Sequence, residues 1–130
     1  MSAGYLADAC ALIVFLASPD PEQVMPRAAP IMQSEEILVS AITVWEITRK
    51  VSLGKVPPVW GGYSSLSLLL RAQGYSLQPL SWDEGEQANL LPPLHKDPMD
   101  RMLIATALRN NLAILTDDAV FAGYGVTTIW

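Results

Sequence analysis

The chain has 130 residues, 51% of them hydrophobic, one cysteine and a formal net charge of −5. That length predicts a single domain, residues 1–130, with its own core. No apolar run is long enough to span a bilayer, the N-terminus lacks the basic region and cleavage site of a secretory signal, and the acidic balance argues against indiscriminate nucleic-acid binding.

The first strand is expected at residues 4–7, short and buried. Ala9 to Ala17 reads as a helix closed by Ser18-Pro19-Asp20-Pro21. A second helix is expected to start near Glu22 and to be short or kinked, because Pro26 and Pro30 remove backbone donors. Ile37-Leu38-Val39 reads as a buried strand, with Ser40 as the N-cap of a helix to about Ser52. Gly54 ends that helix, and Pro57-Pro58 keeps the next stretch extended. Tyr63 to Gln73 reads as a helix through Leu66, Leu69 and Leu70, ended by Gly74. Tyr75 to Leu80 is expected as a strand. Asp83 to Leu91 is expected as a helix capped near Ser81 or Trp82. Pro92 to Asp97 is a loop, and Pro98 opens a helix to about Asn110. Ala113 to Thr116 and Val126 to Ile129 are the last strands. Strands alternating with helices imply a mainly parallel sheet covered on both faces, with ligands beyond the C-terminal strand ends.

Four carboxylates fall at such places. Asp8 follows the first strand, Glu46 lies in the helix after the second, Asp100 opens the helix after Pro98, and Asp118 follows Leu112 to Thr116. Converged carboxylates repel unless a cation holds them, and oxygen ligands suit Mg²⁺ or Mn²⁺. Each position also has an ordinary use. Asp8 can cap a helix, Glu46 can pair with Lys50 or Arg49, Asp100 can complement the helix dipole with Arg101 as counter-ion, and Asp118 can sit in a turn.

Other signals are weaker. His95 has no second His or Cys, so a zinc site is not expected. Cys10 reads as a packed thiol, and a lone cysteine fits a cytoplasmic location. Nucleotide-cradle and nucleophile-elbow motifs are absent, and the Asp-x-Asp of a haloacid-dehalogenase-like phosphatase and the acidic pair of a receiver domain are missing. Arg49, Lys50 and Lys55 form the best phosphate-gripping rim, and Lys96 with Arg101 is the alternative path for a phosphate backbone.

At these residues the chain resembles the PIN-domain ribonucleases, specifically the VapC-type toxins of toxin–antitoxin pairs, over essentially its whole length. Leu6-Ala7-Asp8-Ala9-Cys10-Ala11-Leu12 looks like the family's opening, although Ala9 stands where Thr or Ser is usual. Val39-Ser40-Ala41-Ile42-Thr43-Val44-Trp45-Glu46-Ile47 resembles its Trp-Glu segment. His95-Lys96-Asp97-Pro98-Met99-Asp100-Arg101 resembles its Asp-Pro-Phe-Asp-Arg block, with Met99 for Phe. Thr116-Asp117-Asp118 is similar to its Thr-x-Asp ending.

The resemblance implies a three-layer α/β/α PIN-like fold. It implies a metal-dependent endoribonuclease toxin that hydrolyses RNA with metal-activated water. Asp8, Glu46, Asp100 and Asp118 then serve as catalytic residues and ligands of Mg²⁺ or Mn²⁺, supported by Thr116, Ser40 and Arg101. It also implies a homodimer inhibited by a cognate antitoxin protein. The alternative is a catalytically weak PIN-like module that binds a protein partner.

Overall fold

Five short parallel strands form the centre, in the spatial order β3-β2-β1-β4-β5. In the computed structural model, which describes residues 4–130, these are β1 (Gly4–Ala7), β2 (Ile37–Ser40), β3 (Ser76–Gln78), β4 (Leu112–Leu115) and β5 (Thr128–Ile129). The helices are α1 (Ala9–Ala17), α2 (Pro21–Val24), α3 (Ala28–Ser34), α4 (Ala41–Ser52), α5 (Leu66–Ala72), α6 (Trp82–Leu90) and α7 (Pro98–Asn110), followed by a 3₁₀ helix at Ala119–Tyr124.

The period-two alternation of the strands sorts the core into two layers. Ala7, Ile37, Val39 and Leu115 face one side, where they pack with Leu12 of α1, Met25, Ala29 and Met32 around α3, Ile47 of α4 and Leu66 and Leu70 of α5. Leu6, Leu112 and Ile114 face the other side, against Leu103, Ile104 and Ala107 of α7 and Phe121 and Tyr124 of the 3₁₀ helix. The expected three-layer α/β/α arrangement is therefore present. Among the described residues no helix is long and apolar enough to cross a membrane.

Register places the candidate residues. β1 pairs β4 with Leu6 opposite Ile114 and Ala7 opposite Leu115. The Asp8 amide continues the pairing by donating to the Leu115 carbonyl at 3.2 Å. Asp8 and Thr116 thus leave the sheet side by side. Each helix at this edge begins on a polar cap that satisfies otherwise orphaned amides. Asp8 caps α1, Ser40 caps α4 through the Ile42 amide at 3.1 Å, and Asp97 caps α7 through the amides of Met99 and Asp100 at 2.8 and 3.0 Å. Asn111, left-handed at φ 53°, ends α7 and turns the chain into β4.

Several boundaries differ from the sequence reading. The single kinked helix is two helices, α2 and α3, broken at Met25-Pro26-Arg27. Pro30 falls inside the first turn of α3, where its missing N–H would have had no intrahelical partner. α5 starts at Leu66 and not at Tyr63, because Ser65 supplies the cap by accepting from the Leu68 amide at 3.2 Å. α6 starts on Ser81, whose hydroxyl accepts from the Glu84 amide at 3.1 Å and donates to Glu84 Oε2 at 2.7 Å. The 3₁₀ helix had no counterpart in the sequence reading.

Candidate active site

The C-terminal ends of β1 and β4 and the N-terminal turns of α1 and α7 meet at one edge of the sheet. Asp8 lies deepest, only 8% exposed. Its Oδ1 accepts from the Ala11 amide at 2.8 Å. Burial raises its pKa from the usual 3.8 to about 6; hydrogen bonds from Ala11 and the Thr116 hydroxyl oppose the rise, and the charges of Asp117 and Asp100 add to it. Thr116 is buried, and its oxygen accepts from the Asp118 amide at 3.1 Å. One hydroxyl thus ties Asp8 to the turn that carries Asp117 and Asp118.

Asp100 sits half-buried in the first turn of α7. Burial also raises its pKa, with the charges of Asp97 and Glu46 acting the same way, against a hydrogen bond and charge from His95. That hydrogen bond joins His95 Nε2 and Asp100 Oδ2 at 2.8 Å. Asp118 is exposed and caps the 3₁₀ helix by accepting from the Val120 amide at 3.0 Å. One ligand atom from each of His95, Asp100 and Asp118 lies within 4.8 Å of the others. Glu46 reaches the same field from α4 and is ion-paired with Lys50 Nζ at 3.3 Å.

The chemistry of this donor set fits a hard divalent cation. The donors are mainly carboxylate oxygens, and Asp8 and Asp100 have their ionised forms disfavoured by burial and by neighbouring carboxylates. A bound cation would reverse that penalty.

The family model described as PIN domain matches residues 5–126. The chain belongs to the PIN domain family. Solved structures agree on the fold. VapC20 of Mycobacterium tuberculosis, a sarcin–ricin loop cleaving toxin, superposes with a TM-score of 0.67 at 12% identity, covering 95% of this chain and 96% of that one. VapBC2 from Rickettsia felis, bound to a DNA fragment from their promoter, gives 0.70 at 14% identity with 96% of each chain covered. FitAcB from Neisseria gonorrhoeae gives 0.62 at 19% identity, covering 97% and 96%. No curated protein sequence matches the chain.

Within this PIN domain the candidate residues fall as follows. Of the four carboxylates only Asp100 and Asp118 fall in the 4.8 Å ligand group, with His95. Asp8 is linked to them by the charge of Asp100 and through Thr116, Glu46 by its charge on Asp100, and Ser40 is buried at the α4 cap. Arg101 is not the counter-ion of Asp100. Its guanidinium donates to the carbonyls of Leu91 at 2.8 Å, Pro92 and His95 at 3.0 Å and Ala88 at 3.1 Å, and to the Tyr124 hydroxyl at 3.3 Å. Those bonds engage all three guanidinium nitrogens, so Arg101 holds the α6–α7 loop and offers little to RNA.

The basic rim is uneven. Lys55 is exposed. Arg49 lies over the Trp45 ring, 5.4 Å from its centroid. Lys50, with its side chain 40% exposed, pairs with Glu46, and its charge acts to lower the pKa of Cys10. Cys10 is nonetheless pushed up to about 11, first by burial and then by the charges of Asp117 and Asp8. That shift disfavours the reactive thiolate.

Two further residues shape the site: Asp117, which reads in the sequence as an added carboxylate able to help or merely repel, and His95. Asp117 acts on Asp8 by charge and accepts a hydrogen bond from the Cys10 thiol. His95 has no second His or Cys near it, so spacing alone gives it no metal role. The available signal is its place five residues before Asp100, at the end of a loop pinned by Pro92, Pro93 and Arg101.

Proposed function

We propose that this PIN domain is a metal-dependent endoribonuclease, the toxin of a toxin–antitoxin pair, hydrolysing RNA phosphodiester bonds with water as the nucleophile. The observation that carries this reading is Asp8: a nearly buried carboxylate with its pKa lifted to about 6, facing Asp100 and Asp117 at a strand end. A buried carboxylate among like charges destabilises a fold that has no use for it.

Asp8, Asp100, Asp118 and Glu46 are the residues that would hold Mg²⁺ or Mn²⁺, and such an ion supplies a lowered pKa for water and charge neutralisation at phosphorus. The chain's own residues set the geometry. The Ala11 amide and Thr116 hydroxyl fix Asp8, and the Arg101 clamp fixes the loop before Asp100. Lys50 holds Glu46 at 3.3 Å, on the α4 side of the site. Arg49 and Lys55, on and just beyond the Glu46 helix, position the phosphate backbone. Arg101 and Lys96 are the weaker path, because Arg101 is engaged with carbonyls.

An RNA substrate is supported by the likeness of fold to VapC20, a sarcin–ricin loop cleaving toxin. An antitoxin partner is supported by the likeness to VapBC2. A homodimer and an antitoxin interface are also supported by exposed apolar side chains, with Trp82 and Leu90 of α6 at 93% and 82% exposure. A cytoplasmic location completes the proposal.

The test is cleavage of a structured RNA by the purified chain with EDTA, Mg²⁺ or Mn²⁺. Cleavage only with added metal, and its loss in Asp8→Asn, supports the enzyme. Tight partner binding without cleavage under any metal selects the catalytically weak module instead.

A further inference from the structure

His95 is the one histidine of the chain. It closes the loop between α6 and α7, and that loop is built to hold it in place. Arg101 takes the His95 and Pro92 carbonyls at 3.0 Å and the Leu91 carbonyl at 2.8 Å, and the Tyr124 hydroxyl donates to Pro92 at 2.8 Å. Five residues on, Asp100 is fixed in the first turn of α7 by the Asp97 cap. The imidazole and the carboxylate are therefore positioned by separate pieces of backbone, and they meet at 2.8 Å. Asp118 enters from β4 by a third route, and the three ligand atoms fall within 4.8 Å of one another.

Ligand atoms about 2.1 Å from an octahedral ion lie about 3 Å apart when adjacent and about 4.2 Å apart when opposite. The 2.8 Å between His95 and Asp100 matches an adjacent pair, and the 4.8 Å bound on all three leaves Asp118 a small side-chain movement from the same ion. Carboxylates and water suit Mg²⁺, whereas an imidazole nitrogen adds affinity for first-row transition ions, which accept nitrogen ligands more readily.

We propose that His95 supplies a nitrogen ligand to the divalent ion held by Asp100 and Asp118, and that this bond biases the site toward Mn²⁺ over Mg²⁺. The inference rests on the metal-site reading above and adds to it a ligand and a metal preference. The competing role for His95 is to hydrogen-bond Asp100 without touching metal, which makes it a positioning residue.

Because the chain has a single histidine, nitrogen coupling is unambiguous in tag-free protein. The full chain is loaded with Mn²⁺ and examined by pulsed electron paramagnetic resonance, with Mn²⁺ and Mg²⁺ affinities measured by calorimetry. The expected result is imidazole ¹⁴N coupling in the native protein and its disappearance in His95→Gln. In that variant Mn²⁺ affinity falls at least about tenfold, while Mg²⁺ affinity changes less than about threefold. Glutamine still donates a hydrogen bond to Asp100, so a purely positioning histidine would leave both affinities near native. Mn²⁺ binding without ¹⁴N coupling, or equal losses for both ions, overturns the histidine ligand and leaves the carboxylate site standing. No Mn²⁺ binding by the native chain, with Asp8→Asn indistinguishable from it, overturns both readings.

Discussion

Replacing Asp8 by Asn should make the metal-free protein more stable at neutral pH, although it removes a residue placed at the centre of the site. The folded Asp8 has its pKa raised from 3.8 to about 6, with burial as the largest cause. A raised carboxylate pKa means that the folded chain binds the proton more tightly than the unfolded chain. Stability therefore falls as pH rises from about 4 to about 6, and the loss is complete above that window. At about 1.4 kcal/mol for each factor of ten in proton affinity, the full loss is on the order of 3 kcal/mol, an upper figure before local relaxation.

Asparagine has the same shape, caps helices as well as aspartate and can still accept from the Ala11 amide. A gain of about 1–3 kcal/mol is expected at pH 7.5 in EDTA, raising Tm by about 4 °C per kcal/mol for a domain of this size. The assay is a thermal melt of both proteins across pH 4 to 8, with and without Mn²⁺. The difference should vanish near pH 4 and reach its maximum above pH 6. Mn²⁺ should stabilise the variant less than the native chain. An Asp8→Asn protein that is less stable at every pH, or more stable by a constant amount, would refute the reasoning.

Arg101→Lys should destabilise the fold by about 2–4 kcal/mol in denaturant titration, because one ammonium cannot reach the five oxygens that the guanidinium fork serves. A loss below about 0.5 kcal/mol would contradict the clamp. Charge reversal at Arg49 and Lys55 should weaken RNA binding and lower its salt slope by roughly one for each phosphate no longer neutralised, with little change in the chemical step at saturating RNA. An unchanged slope would move the RNA path elsewhere. Cys10, with its pKa pushed up to about 11, should react with a thiol reagent at pH 8 at least about tenfold more slowly than free cysteine. A rate equal to free cysteine would place the thiol in a different environment.

Much of the framework was legible because local chemistry and global fold agree. Asp8, Ser40 and Pro98 mark helix starts by their own side chains or ring, and the structure puts α1, α4 and α7 at those places. Buried parallel strands such as Leu112–Leu115 read as continuous apolar runs. The misreadings have equally local causes. Tyr63 and Ser64 fit a helical pattern, but Ser65 captures the Leu68 amide and starts α5 later. Pro26 divides one expected helix into two. The 3₁₀ helix depends on the Asp118 cap at Val120, and its period is too short to show in an apolar pattern. The carboxylates were legible as candidates because of their places at strand ends and helix starts. His95 was not, since its value lies in a 2.8 Å approach to Asp100 that the Arg101 clamp creates. The Lys50–Glu46 pair was foreseeable from spacing alone as an ordinary ion pair, and it is present at the edge of the site.

On the function proposed above, the acidic edge of this PIN domain hydrolyses RNA with a divalent ion. Asp100→Asn tests it most directly. Asp100 is half-buried and hydrogen-bonded to His95, so the substitution preserves shape while removing charge from the middle of the site. Cleavage of a structured RNA is followed with native protein and variant, in EDTA and after titration with Mn²⁺. The expected result is metal-dependent cleavage by the native chain and a loss of at least about a thousandfold in the variant, with its circular dichroism unchanged. Cleavage that persists in EDTA, or an Asp100→Asn protein as active as the native one, would contradict the claim.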